Sequence, residues 1–245
     1  MIDLHIHSRY SFDCLMSLRK VLKKAREIGL VGLAITDHNT LEGSLQAQKL
    51  ARDREDYKNL VVIPGLEVST NYGDILGFFV QEEIRTHDAF EVIELIREQG
   101  GISVIVHPFK RLKSYPRDLL REVDGIEVFN ARNSLKNSLQ ALKLAREFQL
   151  IMTAGSDAHF YFEIGRGCIA LPKIMPCDAE EVRRCIIRRE VTILGSVTSP
   201  CVEILSQLIR FMKLKDPRIL LLNVCLEPAR YLYRALTGGT PCRDW

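Results

Sequence analysis

Several features of secreted, zinc-ribbon and membrane proteins are missing from this sequence. Its seven cysteines include no C-x-x-C pair, which argues against a zinc ribbon or a disulfide framework and indicates reduced thiols. The most apolar late run, residues 219–226, is interrupted by Asn223 and is far shorter than the roughly 20 residues that a membrane span requires. Met1 and Ile2 leave no room for a signal peptide ahead of the first polar motif. We therefore expect a cytoplasmic protein that makes no contact with a membrane.

The sequence also lacks a strong excess of either charge. A net charge of +3 over 245 residues is too small to indicate nucleic-acid binding by itself. The residues from Arg183 onward carry 11 Lys/Arg and 5 Asp/Glu, so residues 1–182 have a net charge of −3. Either this basic C-terminal part is a solvated helical surface, or it contacts an anionic partner. With 47% hydrophobic residues, a chain of this length can bury one large core.

Strand-like and helix-like apolar patterns alternate along the chain, which is typical of α/β folds. The predicted strands are residues 2–6, 31–36, 60–63, 74–80, 102–106, 125–129, 150–154, 168–171 and 191–194. The predicted helices are residues 17–28, 41–54, 89–98, 135–148, 179–189, 202–214 and 218–236. We assign residues 1–195 to one barrel domain, and residues 196–245 to a helical extension that packs on the barrel or on a partner subunit.

Two histidines stand on the first predicted strand with one residue between them. Side chains alternate between the faces of a strand, so His5 and His7 point the same way, with Asp3 beside them. Two imidazoles buried without partners would be costly, and this cost favours a metal site. Asp157 and His159 repeat the same spacing after a Gly-Ser turn.

Further polar groups follow other apolar runs. Asp37 and His38, Glu67 and His107 each come after a predicted strand. The active sites of α/β barrels lie at the carboxyl ends of the strands, where these groups would meet. Because His107 precedes a proline, we expect its backbone to be extended. A metal that drives chemistry requires such carboxylate and imidazole ligands together with an open position for water.

The motifs carry a family resemblance. Their sequences are Asp3-Leu-His-Ile-His-Ser8, Ala34-Ile-Thr-Asp-His-Asn-Thr40, Pro64-Gly-Leu-Glu67, Val106-His-Pro108 and Gly155-Ser-Asp-Ala-His159. Over about residues 1–195 the chain resembles the PHP family, the polymerase and histidinol phosphatase superfamily of metal-dependent phosphoesterases. The resemblance implies an α/β fold, a distorted (β/α)7 barrel of PHP type, with two or three divalent ions of manganese, zinc or iron at the carboxyl ends of its strands.

The resemblance also implies a set of metal ligands. His5, His7, Glu67 and Asp157 would hold one ion, Glu67 and His107 a second, and Asp13, His38 and His159 a third. Relatives commonly carry Ser-Asp-Gly at this point of the sequence. This chain retains the aspartate as Asp13, but a cysteine follows it in place of the glycine. Asp74 stands where many relatives have a histidine. Either Asp74 is an oxygen ligand of the second ion, favouring manganese or ferrous iron over zinc, or it only ends the turn at residues 71–73.

The implied reaction is hydrolysis of a phosphate ester by a metal-activated water. The substrate would be a nucleotide, an oligonucleotide end or a small phosphorylated metabolite. His38 or His159 would protonate the leaving group only if it is not fully engaged as a ligand. Four cations adjoin ligand-bearing loops and are candidates for binding phosphate, with an ordinary surface role as the alternative: Arg9, Lys110, Arg132 and Arg166.

Other functions are compatible with the same fold. The chain could be a non-catalytic PHP-like binding module, such as a protein subunit of ribonuclease P, although those relatives have lost most of the ligands retained here. A proofreading exonuclease is less favoured, because the chain contains no polymerase module. All of the implied ligands precede Glu163, so we expect the C-terminal extension to cover the barrel or mediate self-association and to take no part in the chemistry.

Overall fold

The strands form one mixed sheet in the order β7-β6-β5-β4-β3-β2-β1-β8-β9. The computed structural model describes residues 1–172, 178–199 and 201–216. The strands are β1 (Ile2–Ile6), β2 (Gly32–Ile35), β3 (Val61–Thr70), β4 (Gly73–Phe78), β5 (Ile102–Ile105), β6 (Gly125–Asn130), β7 (Ile151–Gly155), β8 (Gly167–Ala170) and β9 (Thr192–Gly195). The α-helices are α1 (Leu18–Glu27), α2 (Glu42–Arg52), α3 (Ala89–Glu98), α4 (Arg117–Glu122), α5 (Leu135–Glu147), α6 (Ala179–Ile187) and α7 (Cys201–Leu214).

The sheet curves until its ends nearly meet. Strands β1 to β3 are parallel, as are β5 to β7, whereas β4 is antiparallel to both of its neighbours. The segment after β7 then pairs with β1, because the His7 N–H donates to the Ala158 carbonyl oxygen at 3.0 Å. The expected distorted α/β barrel is confirmed. The sheet of the described residues has nine strands, because β4 and the antiparallel pair β8 and β9 widen it.

A buried carboxylate fastens this seam between β1 and β7. Asp3 accepts hydrogen bonds from the backbone N–H groups of Ser156, at 3.0 Å, and Gly165, at 2.8 Å. Burial raises the pKa of Asp3 to about 6, against the lowering effect of these hydrogen bonds. Asp3 therefore joins strands on the two sides of the seam.

The helices cover the outer surface of the sheet with amphipathic faces. In α1 the apolar residues recur at helical spacing, and the buried ones are Leu18, Val21, Leu22 and Ala25. A separate apolar cluster joins residues of seven strands to α6, including Ile2, Leu4, Ile63, Phe78, Val104, Val182 and Ile186. In the part of the chain that the structure describes, no helix is both long and apolar enough to cross a membrane.

Most predicted elements are found within two or three residues of their expected ends. The prediction for β3 was too short, because the strand continues through Pro64 as far as Thr70. A proline is tolerated there because its carbonyl oxygen still accepts a bond, from the Phe79 N–H at 2.7 Å. Helix α4 and a 3₁₀ turn at Glu55–Tyr57 were not predicted. The helix predicted at residues 218–236 lies outside the described residues.

The close approach of β7 to β1 gives a stability prediction. A Cβ atom on Gly155 would lie 2.2 Å from the His5 Cβ and 3.0 Å from its backbone nitrogen, so Gly155→Ala forces the seam apart. We expect a loss of about 1–3 kcal/mol or more in the free energy of unfolding, measured by urea denaturation.

Gly100→Ala is the matched control. Gly100 has a φ of +69° but nothing within 4 Å of its added Cβ, so its cost should be about 1 kcal/mol from backbone strain alone. Equal destabilisation by the two variants would contradict the importance of close packing at the seam.

Candidate metal centre

Four ligand atoms converge at the carboxyl end of β1. The Nε2 atoms of His5 and His7 are 3.2 Å apart, and both lie near Glu67 Oε2, at 3.4 and 3.2 Å respectively. Asp157 Oδ1 is 3.7 Å from the first imidazole and 3.3 Å from the second. Ligand atoms of a tetrahedral site with bonds of about 2.1 Å lie about 3.4 Å from one another. The spacing here fits a small divalent cation.

Hydrogen bonds from the far side of each ring hold these two histidines in the ligand orientation. His5 Nδ1 lies 3.1 Å from Glu127 Oε1, and His7 Nδ1 lies 2.9 Å from Ser11 Oγ. The Ser11 hydroxyl donates to Asp37 Oδ1 at 2.9 Å, so its oxygen is free to accept from the ring. A proton on each Nδ1 leaves the Nε2 lone pairs facing the cluster, as in metal sites where a polar partner fixes the tautomer.

Glu127 is the partner that sequence reasoning missed. It stands between Ile126 and Val128, which pack in a cluster with the helices, so its carboxylate faces the barrel interior. Its second oxygen accepts from the His107 backbone N–H at 2.8 Å and from the Asn130 side chain at 2.9 Å. A lone carboxylate inside an apolar strand was the available signal, since such a group is costly to bury without partners.

Asp37 is an orienting residue in the structure, and not a ligand. Besides Ser11, it accepts from both the backbone N–H and the hydroxyl of Ser8, each at 2.6 Å. It therefore fixes the loop that follows β1. The neighbouring His38 is the member of this pair that reaches the cluster.

A second group of ligand atoms forms around Asp13. Its Oδ2 lies 3.1 Å from His159 Nε2 and 3.3 Å from His38 Nε2. His159 Nδ1 lies 2.9 Å from the Asp157 carbonyl oxygen, so a proton there leaves Nε2 for the cluster. Asp13 Oδ1 is buried without a hydrogen-bond partner among the described residues, and His38 Nδ1 lies 3.1 Å from Glu67 Oε2. A buried carboxylate oxygen without a partner is what a cation would satisfy.

A third group combines strands of opposite direction. His107 Nε2 lies 2.9 Å from Glu67 Oε1 and 3.8 Å from Asp74 Oδ2. Glu67 lies inside β3, and Asp74 lies near the start of β4. Neither ligand therefore comes after the end of a strand, which is where ligands were expected from the sequence. Because β4 is antiparallel, its start lies at the same edge as the end of β3. Arg111 Nη1 also contacts Asp74, at 3.3 Å.

The backbone at two candidate ligands is strained. His107 has a φ of 31° and Asp157 a φ of 54°, in the left-handed region that few residues other than glycine adopt. The expectation of an extended backbone at His107 was therefore wrong. Its N–H is directed at Glu127, and this hydrogen bond, together with the Glu67 contact of the ring, accounts for the turn.

The charges of the cluster are strongly coupled. Burial by itself raises the pKa of the Glu67 carboxyl, but His38 and His5 outweigh it and hold this pKa well below its usual range. Burial lowers the pKa of His7, yet hydrogen bonds to Asp157 and Glu67 raise it to about 10. In the absence of metal, protons on imidazoles thus balance buried carboxylates. Divalent cations can replace these protons, and all eight ligands implied by the resemblance, together with Asp74, belong to the three groups.

The four predicted phosphate-binding cations have different environments. Arg132 is 5% exposed, and its guanidinium donates to both carboxylate oxygens of Glu163, at 2.8 and 2.6 Å. Because Glu163 also accepts from the His159 N–H at 3.0 Å, this buried pair supports the His159 loop, and the structure places Arg132 in an ion pair and not as a free phosphate-binding group. Lys110 Nζ lies 2.9 Å from Glu203.

The remaining two cations lie nearer the surface. The guanidinium of Arg9 is exposed and lies over the Tyr10 ring, 5.6 Å from its centroid. Arg166 donates to the carbonyl oxygens of Phe162, at 3.4 Å, and Val197, at 3.5 Å. Two of the four cations act on the cluster through their charge. Burial and then Arg132 lower the pKa of His159, and Lys110 adds to the effect of His5 in lowering the pKa of Asp157.

Comparison with known proteins places this centre in a family. The PHP domain matches residues 3–164. An uncharacterized protein of Methanocaldococcus jannaschii is 34% identical over 184 residues, 71% of either chain. A phosphoribosyl 1,2-cyclic phosphate 1,2-diphosphodiesterase of Eggerthella lenta is 33% identical over 91 residues, 35% of this chain and 34% of the relative.

A solved structure shares the fold. It is a two-domain protein of Bacteroides vulgatus described as containing a predicted PHP-like metal-dependent phosphoesterase. The two superpose with a TM-score of 0.66 and 18% identity over 80% of this chain and 64% of that one. With the match over residues 3–164 and the Methanocaldococcus relative, these findings show that the chain belongs to the PHP domain family.

Proposed function

We propose that this protein is a metal-dependent phosphoesterase that hydrolyses a nucleotide, an oligonucleotide end or a small phosphorylated metabolite. The observation that carries the proposal is the orientation of His5 and His7, whose Nε2 atoms meet Glu67 and Asp157 while their Nδ1 atoms are held from behind. Such an arrangement prepares a metal site and serves no evident packing purpose. Two or three divalent ions of manganese, iron or zinc would fit the three ligand groups.

The protein residues have two tasks in this proposal. Bound divalent ions would supply the Lewis acid that activates water and neutralises the charge of the phosphate. The chain holds the carboxyl groups of Glu67 and Asp157 deprotonated, and Lys110, which is paired with Glu203, brings a positive charge to the rim for a phosphate oxygen. Both nitrogens of His38 and of His159 lie next to other site atoms, which supports ligand roles for them over a role as general acid.

The retained ligands favour catalysis over a binding module. A module that only binds a partner has no need for deprotonated carboxylates buried among imidazoles, because an unneutralised site of this kind is expensive to bury. The Eggerthella lenta relative is named for a cyclic phosphodiester, so we include diesters together with monoesters among the substrates.

The first test is hydrolysis of aryl phosphates. Protein loaded in turn with manganese, iron or zinc should hydrolyse p-nitrophenyl phosphate or its bis-ester, and a chelator should abolish the activity. His7→Asn should reduce kcat by about a hundredfold or more, since it removes a ligand. The control is His87→Asn, because His87 is exposed and its ring lies against the Ser69 carbonyl oxygen, away from the ligand groups. Metal-loaded protein that is inert towards every mono- and diester would contradict the proposal.

Glu127→Gln tests the orientation of the ligands. The change keeps the shape of the side chain but removes the negative charge behind His5. We expect metal affinity, measured by competition with a fluorescent chelator, to fall about ten- to a hundredfold. Unchanged affinity would mean that Glu127 only stabilises the His107 turn.

Asp74 tests the composition of the second ion site. If Asp74 is a ligand, Asp74→Asn should lose one ion and most of the activity, whereas Asp74→His should stay active and shift its preference towards zinc. Elemental analysis and activity in each metal measure these effects. Arg111→Gln is the control, because it breaks the ion pair to Asp74 without touching the ligand. A fully loaded, active Asp74→Asn would leave Asp74 as a turn residue.

A further inference from the structure

Helix α7 contacts three loops at the edge of the metal centre, two of which carry candidate ligands. Glu203 contacts Lys110, Ser206 accepts from Arg132 at 2.9 Å, and the guanidinium of Arg210 lies over the Phe12 ring. Together with Lys213, these helix residues are spaced by three or four positions, so they occupy one face. This face of the extension is therefore directed at the site, although the sequence suggested no part for it in the chemistry.

Lys213 makes the most concentrated of these contacts. Its ammonium group donates to the carbonyl oxygens of Arg9, at 2.8 Å, of Ser11, and of Cys14, at 3.0 Å. An ammonium group has three N–H donors, so these three acceptors use all of them. All three carbonyl groups belong to one loop, residues 9–14, which carries Asp13.

The same loop depends on α7 at a second point. The Phe12 ring stacks on His38 with centroids 4.6 Å apart, and the Arg210 guanidinium lies 4.7 Å from the centroid of the same ring. The loop thus carries one candidate ligand, Asp13, and packs on another, His38. Asp13 Oδ1 has no hydrogen-bond partner in the part of the chain that the structure describes, so the hydrogen bonds of this side chain do not fix it fully.

The other ligand groups depend on α7 less directly. His5 and Glu67 lie on strands, and His7 follows β1 directly. Glu127 of β6 orients His5, whereas Ser11, which orients His7, belongs to the loop that Lys213 holds. Among the described ligands, Asp13 is the one whose own loop accepts hydrogen bonds from a residue of the extension.

We infer that Lys213 is a positioning residue that holds Asp13 in place for one of three metal ions, so that α7 governs the occupancy of that ion more strongly than that of the others. The inference rests on the metal centre of the proposed function. An untethered loop would spread Asp13 over several positions and lower its effective concentration at the ion. The remaining two ions would keep their ligands.

The test compares Lys213→Met with Lys215→Met in the full-length protein. Methionine keeps much of the apolar stem but cannot donate, and Lys215 is an exposed lysine just after the same helix. Zinc or manganese titrations followed by elemental analysis give the number and affinity of the ions, and circular dichroism of the metal-free proteins checks the fold. Lys213→Met should weaken one ion about ten- to a hundredfold and the others much less, while Lys215→Met should match wild type.

Two further variants distinguish the positioning of Asp13 from a general loss of order around the metal centre. Asp13→Asn should lose the same single ion, and Lys213→Met added to it should lose nothing more, because both changes act on one ligand. Lys213→Gln retains two N–H donors and should give an intermediate affinity, which keeps the test decisive if the methionine variant does not fold. Full wild-type loading of Lys213→Met, or weakening of all ions together, would overturn the inference. These readouts are binding measurements, so an inactive but fully loaded protein would reject the proposed function and not this inference.

Discussion

The Glu67 carboxylate is the contact on which the arrangement of the centre depends. It is fully buried, and its oxygens lie within 3.4 Å of nitrogens of His5, His7, His38 and His107, which come from three different strands or the loops after them. A buried anion needs compensation, and each imidazole near it needs an acceptor or a cation. The negative charge of Glu67 thus requires these rings to converge. Glu67 belongs to two of the three ligand groups.

The ligands could be predicted from the sequence to the extent that they obey local rules. His5 and His7, and Asp157 and His159, repeat at a spacing that places them on one side of an extended segment, and they stand next to apolar strands that are easily recognised. Groups that act through distant partners carry no such pattern. Glu127 meets a residue 122 positions away, so only the cost of burying a carboxylate in an apolar strand could have drawn attention to it.

The sequence predicted those parts of the fold that depend on the periodicity of apolar residues. It predicted less well the parts that depend on the direction of a strand or on contacts with distant residues. The hydrophobic alternation predicted most strands and helices, but not that β3 would continue through a proline or that Asp74 would reach the centre because its strand runs backwards. The C-terminal extension was interpreted from its two apolar helices, as a cover of the barrel or a surface for self-association. The role of its polar face can be recognised only when the loops that it contacts are known. The residues of that face are Glu203, Ser206, Arg210 and Lys213.

The seam between β1 and β7 gives the centre a consequence for the stability of the whole barrel. His5 lies on one side of that seam and Asp157 on the other, and neighbouring residues across it are separated by 151 positions in the chain. An ion held by both His5 and Asp157 would be a cross-link that closes a loop of this length, and closing so long a loop in the unfolded chain carries a large entropic cost. Metal binding would then be linked to closure of the barrel, so that the residues that hold the ion also stabilise the seam.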